Sequence, residues 1–422
     1  MTADSVRVFV NERPVDVPRG ATVRDAVAAH DRSLADLLSA DGGGTGAYVT
    51  DGVGRPVDAG DPIPEAGVVL RVVVTARRGG PPRLTKDALR SWPKAELHVH
   101  LDGCLRPRTM LELARAQGVR LPADTPEDLA RALMITAAQS LEEYLEKYAV
   151  NLSVMQTAEA LERIAYEFVV DVAKENVRYV EVRYSPLLHQ PALSLSQAIE
   201  APLAGVRRAS AETGTKVGLI MCGIRTLPPA RSLDLARAAA DYRGEGVIAF
   251  DLAGAERGHS ARDFRAAFEY AAQHGLACTC HAGEGDGPHS IGDALHACGA
   301  QRIGHGTRLG EDPALLEEVI ARRIPLEMCL TSNVHTHTVA SLREHPFRTY
   351  LQQGVVVTLN TDGRLVDGIT LTDEYFTAHA VLGLTREELA RVTVNACESA
   401  FLPEFERVAV VSRVQSELEK LA

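Results

Sequence analysis

Two short apolar runs each deliver histidine: Glu96-Leu97-His98-Val99-His100-Leu101-Asp102-Gly103 and Cys278-Thr279-Cys280-His281-Ala282-Gly283-Glu284. Successive side chains of a strand alternate faces, so His98 and His100 project from one face and can bind one ion together. His281 ends the second run, and Glu284 follows three residues later. A third run, Val355-Val356-Val357-Thr358-Leu359-Asn360-Thr361-Asp362, ends in an acid. Three neutral imidazoles and one carboxylate suit zinc, which accepts nitrogen and oxygen ligands and keeps a position for water at catalytic sites. Zinc makes hydroxide available near neutral pH but protonates no leaving group, so a separate acid is required. Glu284 is placed to be that acid if desolvation raises its pKa. His305, between Gly304 and Gly306, is expected to orient or deprotonate the water and to stabilise the oxygen as it gains negative charge. A lone histidine is more often a hydrogen-bonded structural residue than a ligand; it is the set that argues for chemistry.

Ligands this far apart in sequence need a fold that gathers strand ends. From Trp92 onward, strand-like runs alternate with helical patterns, the signature of a parallel α/β domain. Eight runs are read: Glu96 to Leu101, Tyr179 to Tyr184, Val217 to Cys222, Val247 to Leu252, Ala277 to His281, Arg302 to Gly304, Pro325 to Cys329 and Val355 to Asn360. They predict a (β/α)8 TIM barrel, with a helical insertion after strand 1 at residues 106 to 175. The longest helical segment there, Leu141 to Asn176, is expected over the C-terminal face of the barrel as a lid. Every candidate ligand then lies at the C-terminal end of its strand, where barrel active sites are built. Residues 386 to 421 read as helical too.

The N-terminal stretch reads differently. Val6-Arg7-Val8-Phe9-Val10 alternates as a half-buried strand, Asn11-Glu12-Arg13-Pro14 is turn chemistry, and Val15-Asp16-Val17 alternates again. Thr22 can cap the next helix with Asp25 three residues on, and Ala47 to Thr50 and Val68 to Val74 read as two more strands. A small α+β module at residues 1–76, a linker at 77–90 and a barrel at 91–422 are therefore expected. The opening Val10-Asn11-Glu12-Arg13-Pro14-Val15-Asp16-Val17-Pro18-Arg19-Gly20-Ala21-Thr22-Val23 resembles the β-grasp sulfur-carrier family related to ubiquitin. That family ends in a functional Gly-Gly, whereas Arg77-Arg78-Gly79-Gly80 runs on into Pro81-Pro82-Arg83, so a flexible linker is the favoured reading.

Composition narrows the partners. A formal net charge of -11 argues against a nucleic-acid backbone as ligand, since that needs a clustered basic face. No apolar stretch approaches a membrane span, the N-terminus lacks signal-peptide character, and seven cysteines show no CxxC pair. A cytoplasmic protein with buried thiols is expected. The sequence leaves a homo-oligomer open.

Taken with Asp251-Leu252-Ala253-Gly254, Arg302-Ile303-Gly304-His305-Gly306, Asn360-Thr361-Asp362 and Val394-Asn395-Ala396, the two histidine runs closely resemble the adenosine deaminase family, in family order, over essentially all of residues 91 to 410. The resemblance implies zinc-dependent hydrolytic removal of the exocyclic amine of a purine nucleoside, adenosine to inosine plus ammonia. His98, His100, His281 and Asp362 would hold one zinc per chain, Glu284 would protonate N1, and His305 and Asp362 would place hydroxide for attack at C6. On the substrate side, His100 faces the pocket, a backbone amide at Gly254 meets N3, and Asp102 meets the ribose 5′ hydroxyl. Gly363 departs from the pattern, because well-known members carry there a second Asp that contacts N7. An Asp introduced into the space beside Gly363 is therefore expected to improve adenosine recognition; otherwise Gly363 marks room for a larger substrate, or a backbone need.

Three rival readings stay in view. The substrate is aminofutalosine or an N6-substituted adenosine monophosphate, or the N-terminal module is a carrier on a degenerate barrel. A binuclear site is disfavoured because Val247 to Leu252 holds no Lys to bridge two metals. The spacing in Val334-His335-Thr336-His337 mimics a ligand pair but falls in an expected loop.

Overall fold

The structure is a computed structural model, and it describes residues 5–11, 13–36, 38, 47–52, 54–64, 67–74, 84–135 and 140–421. The chain divides into two compact units: Met1–Ser91 with Ser341–Glu344 and Tyr375–Leu389, and Trp92–Ala340 with His345–Glu374 and Ala390–Ala422.

The smaller unit is built on strands β1 (Ser5–Val10), β2 (Arg13–Pro18), β3 (Ala47–Asp51), β4 (Pro56–Val57) and β5 (Val69–Val74), in the order β2-β1-β5-β3-β4. β1 pairs antiparallel with β2 and parallel with β5. Alternation along β1 turns Val8 and Val10 inward, onto Ala26 and Val27 of the helix Val23–His30. That helix opens with a full capping box, in which Thr22 and Asp25 each satisfy the other's backbone N–H. Glu12 of the expected turn and the Arg77-Arg78-Gly79-Gly80 segment lie outside the described residues. Tyr375–Leu389, distant in sequence, belongs to this unit, and within it the Leu84 N–H donates to His379 Nε2 at 3.0 Å.

The larger unit carries eight parallel strands: β6 (Lys94–His100), β7 (Val177–Tyr184), β8 (Lys216–Ile224), β9 (Val247–Ala253), β10 (Ala277–Ala282), β11 (Arg302–His305), β12 (Leu326–Met328) and β13 (Val357–Leu359). Each pairs with its neighbour in sequence. The ring is drawn together between its ends, where His100 N–H donates to the Asp362 carbonyl (2.8 Å) and Asp362 N–H to that of His98 (3.1 Å). This is the parallel eight-stranded barrel that alternating strand and helix patterns predict. His305 is the last residue of β11 rather than just beyond it. The expected long helix over Leu141 to Asn176 is three: Leu141–Glu146, Tyr148–Ser153 and Ala158–Lys174. Thr157 starts the third by accepting from the Ala160 N–H, which ends any run through it. The helical tail is likewise two helices, Arg386–Glu398 and Glu404–Glu419.

The barrel interior is not an ordinary apolar core. Inward-facing Glu181, Arg183, Asp251, Arg302 and Glu327 are buried to 2% exposure or less, charges whose isolated burial would be prohibitive. They are paired. Arg183 reaches Glu327 at 2.6 Å and Asp251 at 3.0 Å, and Arg302 reaches Glu327 at 2.6 Å and also bonds Glu181. Burial works to raise the pKa of Glu327, but Arg183 and Arg302 overcome it and hold the carboxylate well below its ordinary value. Removing one member leaves the others charged and dry. Glu327→Ala should therefore lower the unfolding free energy by about 3–5 kcal/mol, and an unchanged denaturant midpoint would contradict this.

Candidate active site

The network just described carries the site. β6 alternates, so Glu96, His98 and His100 share the inner face. The edge of Glu327 not taken by Arg302 lies 3.0 Å from His98 Nδ1, and Asp251 lies 2.9 Å from His281 Nδ1. A carboxylate facing Nδ1 places the ring proton there and leaves the Nε2 lone pair free, the arrangement that metal-ligating histidines show. His98 Nε2 finds no partner among the described residues although fully buried. Gly304 lets this ring cross the barrel, since a Cβ there would stand 3.0 Å from His98 Cε1.

Asp362 follows β13 with φ +62°, a left-handed conformation that is uncommon outside glycine and gathers at functional sites. Ser332 donates to its Oδ2 at 2.6 Å. Its Oδ1 lies 3.5 Å from His98 Nε2 and 3.3 Å from His100 Nε2. His98, His281, His305 and Asp362 bring ligand atoms within 4.8 Å of one another. His100 joins from the pocket side, its Nε2 3.1 Å from that of His281. Five of the expected groups therefore converge.

His305 differs from the others in its partner. Asn333 Oδ1 is committed to Thr307 Oγ1 at 2.9 Å and His345 Nε2 at 3.2 Å, so the Asn333 amide N–H donates to His305 Nδ1 at 3.0 Å. In a neutral ring this puts the proton on Nε2, making that nitrogen a donor and not a lone pair. It lies 3.5 Å from Glu284 Oε2. Burial, then the neighbouring His98 charge, push the His305 pKa well down and keep the ring neutral. His100 is also held down, chiefly by burial. Burial and Arg183 oppose charge on His98, yet Asp362 and Glu327 carry its pKa above the ordinary value. The same carboxylates would favour a cation.

Glu284 sits on a turn fixed by Glu256, whose carboxylate accepts from the N–H groups of Gly283, Glu284, Gly285 and Asp286 at 2.7 to 3.1 Å. Burial first, and the Asp362 charge second, raise the Glu284 pKa well above the carboxylate range. Asp102 is raised by burial to about 7. Among the described residues Glu284 Oε1 and Asp102 Oδ1, like His98 Nε2, have no hydrogen-bond partner.

His100, Asp102, His281, Glu284, His305 and Asp362 line a cavity of about 430 Å³ that is walled by Leu141, Leu145, Leu152, Leu188 and Ile224, the size and apolarity of a small-molecule site. Gly254 lines it with φ +97°, a conformation that leaves its backbone open to a ligand. Helices Leu141–Glu146 and Tyr148–Ser153 of the insertion supply part of the wall, as a lid would.

The space expected beside Gly363 is not vacant. A Cβ there would collide with the Tyr148 hydroxyl and stand 2.7 Å from that of Tyr144. Nor is it a backbone need, because Gly363 has φ −118°, open to any residue. Gly363→Asp should therefore reduce kcat/KM and not improve it, by roughly tenfold, as overpacking by about 1–3 kcal/mol displaces both tyrosines. A gain in kcat/KM would restore the reading of an empty place. His335 of the mimic pair bonds Asp367 at 2.7 Å and forms no second metal group among the described residues.

Sequence reasoning missed Glu327, Arg183 and Glu256. The signal for Arg183 was charge at alternate places, Glu181 and Arg183, of an apolar strand, and for Glu327 a single charge inside an apolar run; Glu256 left none.

A parallel barrel with a buried His/Asp cluster at its C-terminal mouth defines an amidohydrolase-type enzyme with a potential metal site. Residues 93–417 match the family described as Adenosine deaminase. The chain belongs to the adenosine deaminase family. An adenosine deaminase of Mycobacterium sp. (strain JLS) is 41% identical over 352 residues, which cover 78% of this chain and 96% of that protein. A probable adenosine deaminase of Dictyostelium discoideum is 39% identical over 321 residues, covering 76% of this chain but 42% of that longer protein. The crystal structure of an arabidopsis N6-mAMP deaminase is similar with a TM-score of 0.70 at 28% identity, covering 78% of this chain and 99% of that one. No helix among the described residues is long and apolar enough to cross a membrane.

Proposed function

We propose that the chain hydrolyses adenine nucleosides at C6, converting adenosine to inosine and ammonia with one zinc ion per chain. The observation that carries this is three buried polar atoms that make no hydrogen bond among the described residues, His98 Nε2, Glu284 Oε1 and Asp102 Oδ1, at a site with one apolar cavity. Polar atoms left bare at that burial point to a metal and a ligand.

His98, His100, His281 and Asp362 would hold the zinc; the tautomers favour His98 and His281 as ligands, and His305 as a donor. Bound there, zinc would supply Lewis-acid activation of water near neutral pH. Glu284, kept protonated by burial, gives its proton to N1. This withdraws electrons from C6, so that water adds there. His305 Nε2–H and Asp362 hold the incoming oxygen in line, the former stabilising its negative charge. Asp362 takes the proton that the water gives up and passes it to the exocyclic nitrogen; the tetrahedral carbon then expels ammonia, and the proton left on the new C6 oxygen returns to Glu284 as the carbonyl forms. The Gly254 amide meets N3 and Asp102 the 5′ hydroxyl.

The pocket lining favours a nucleoside over a nucleotide. Among the described residues no Lys or Arg lines it, so a phosphate would be desolvated there with no countercharge. Adenosine should exceed adenosine monophosphate in kcat/KM by roughly a hundredfold or more. Ammonia release from adenosine, adenosine monophosphate, its N6-methyl form and aminofutalosine measures this, and faster turnover of a nucleotide would favour the activity in the name of the arabidopsis relative. We place the enzyme in the cytoplasm, with no nucleic-acid or membrane partner. Its seven cysteines are unpaired and six are buried, which supports a reducing setting.

A further inference from the structure

Tyr148 is seated in a slot made by two glycines from opposite ends of the barrel chain. Its hydroxyl would stand 3.0 Å from a Cβ at Gly103 and would collide with one at Gly363. Both glycines are therefore needed for the ring to reach in beside Gly363, the residue after Asp362. Tyr144 completes the wall and is anchored: its hydroxyl donates to Asp367 Oδ2 at 3.0 Å, and Asp367 Oδ1 is held by His335 at 2.7 Å. A tyrosine has one O–H. With that of Tyr144 committed to Asp367, the Tyr148 hydroxyl donates to the Tyr144 oxygen at 3.3 Å, a bond longer than the usual O–H···O range and so readily given up to a better acceptor. Apart from the histidine cluster and the acids, the described pocket-lining side chains able to donate a neutral hydrogen bond are Tyr144, Tyr148 and Thr226. Tyr148 is the one that abuts Gly363 most closely and whose hydrogen is held only by that long bond.

In adenine the amine-bearing carbon is flanked by two in-plane acceptors, N1 on one side and, across C5, N7 on the other. Glu284 takes the first. We propose that Tyr148 is a specificity-determining residue whose hydroxyl donates to N7, so that a side chain from the insertion reads the base where position 363 contributes none. The proposal rests on the adenine-nucleoside reading above.

The test uses two ground-state probes, 1-deazaadenosine, which keeps N7, and 7-deazaadenosine, which lacks it. Each is measured as a competitive inhibitor of adenosine turnover by the full-length holoenzyme. Tyr148→Phe should weaken 1-deazaadenosine by roughly five- to tenfold, the loss of one hydrogen bond, and leave 7-deazaadenosine unchanged. The unchanged probe then reports an intact pocket. Tyr144→Phe should leave both within about twofold, since it removes a support and no contact. Equal weakening of both probes by Tyr148→Phe, weakening of neither, or a larger selective loss in Tyr144→Phe overturns the assignment. Wild-type protein that binds neither probe and leaves adenosine untouched overturns the nucleoside reading itself.

Discussion

Glu284→Gln loses adenosine turnover by roughly a hundredfold or more and keeps its metal, the scale on which general acids contribute. The amide matches the carboxyl in shape and hydrogen-bonding reach, but it has no proton to give to N1. Glu284 also stands apart from the candidate ligands. It sits on the Glu256-fastened turn, its Oε2 3.5 Å from His305 Nε2, the ring nitrogen read as a donor. Kinetics alone would not separate a proton donor from a ligand, so the variant is assayed for zinc as well. Loss of zinc together with activity would place Glu284 in the coordination shell and remove the acid from the account.

His281→Ala behaves in the opposite way: zinc falls first and activity follows it. Purified wild-type protein should carry about one zinc per chain, and chelation should abolish turnover until zinc is restored. In His281→Ala a ligand is gone, and the metal should be lost beyond the roughly ten- to hundredfold that removal of an outer partner costs. Asp251→Asn supplies that smaller effect for comparison, because Asp251 acts through His281 Nδ1 at 2.9 Å. Two zinc ions per chain, both required for turnover, would contradict the mononuclear reading, as would undiminished zinc in His281→Ala.

The clustering of the histidines and Asp362 was legible because strand periodicity is local. His98 and His100 must share a face whatever the rest of the chain does, and the acid ending the run at Asp362 could be placed by counting strands. Partners across the barrel were not legible in the same way. Glu327 meets His98 and Arg183 from 229 and 144 residues away, and nothing in either strand announces which buried charge answers which. The helical insertion shows the same limit. Its periodicity runs smoothly through Lys147, which keeps helical angles at φ −63° and ψ −30°, so one expected helix became several, although Thr157 carried a cap that a closer reading would have found. Gly363 shows it most plainly. A missing side chain reads as a gap in sequence, whereas in the fold Tyr148, some two hundred residues upstream, fills the place. Whether a glycine leaves room depends on what packs against it, and packing of this kind is long-range.

The measurement that bears most directly on the central claim is the fate of adenosine in water enriched in oxygen-18. Hydrolysis at C6 predicts inosine that carries one labelled oxygen in the base, with one ammonia released per inosine, in zinc-loaded protein and not in the chelated form. Adenosine left unchanged by zinc-replete protein, or consumed without labelled inosine and matching ammonia, would contradict it.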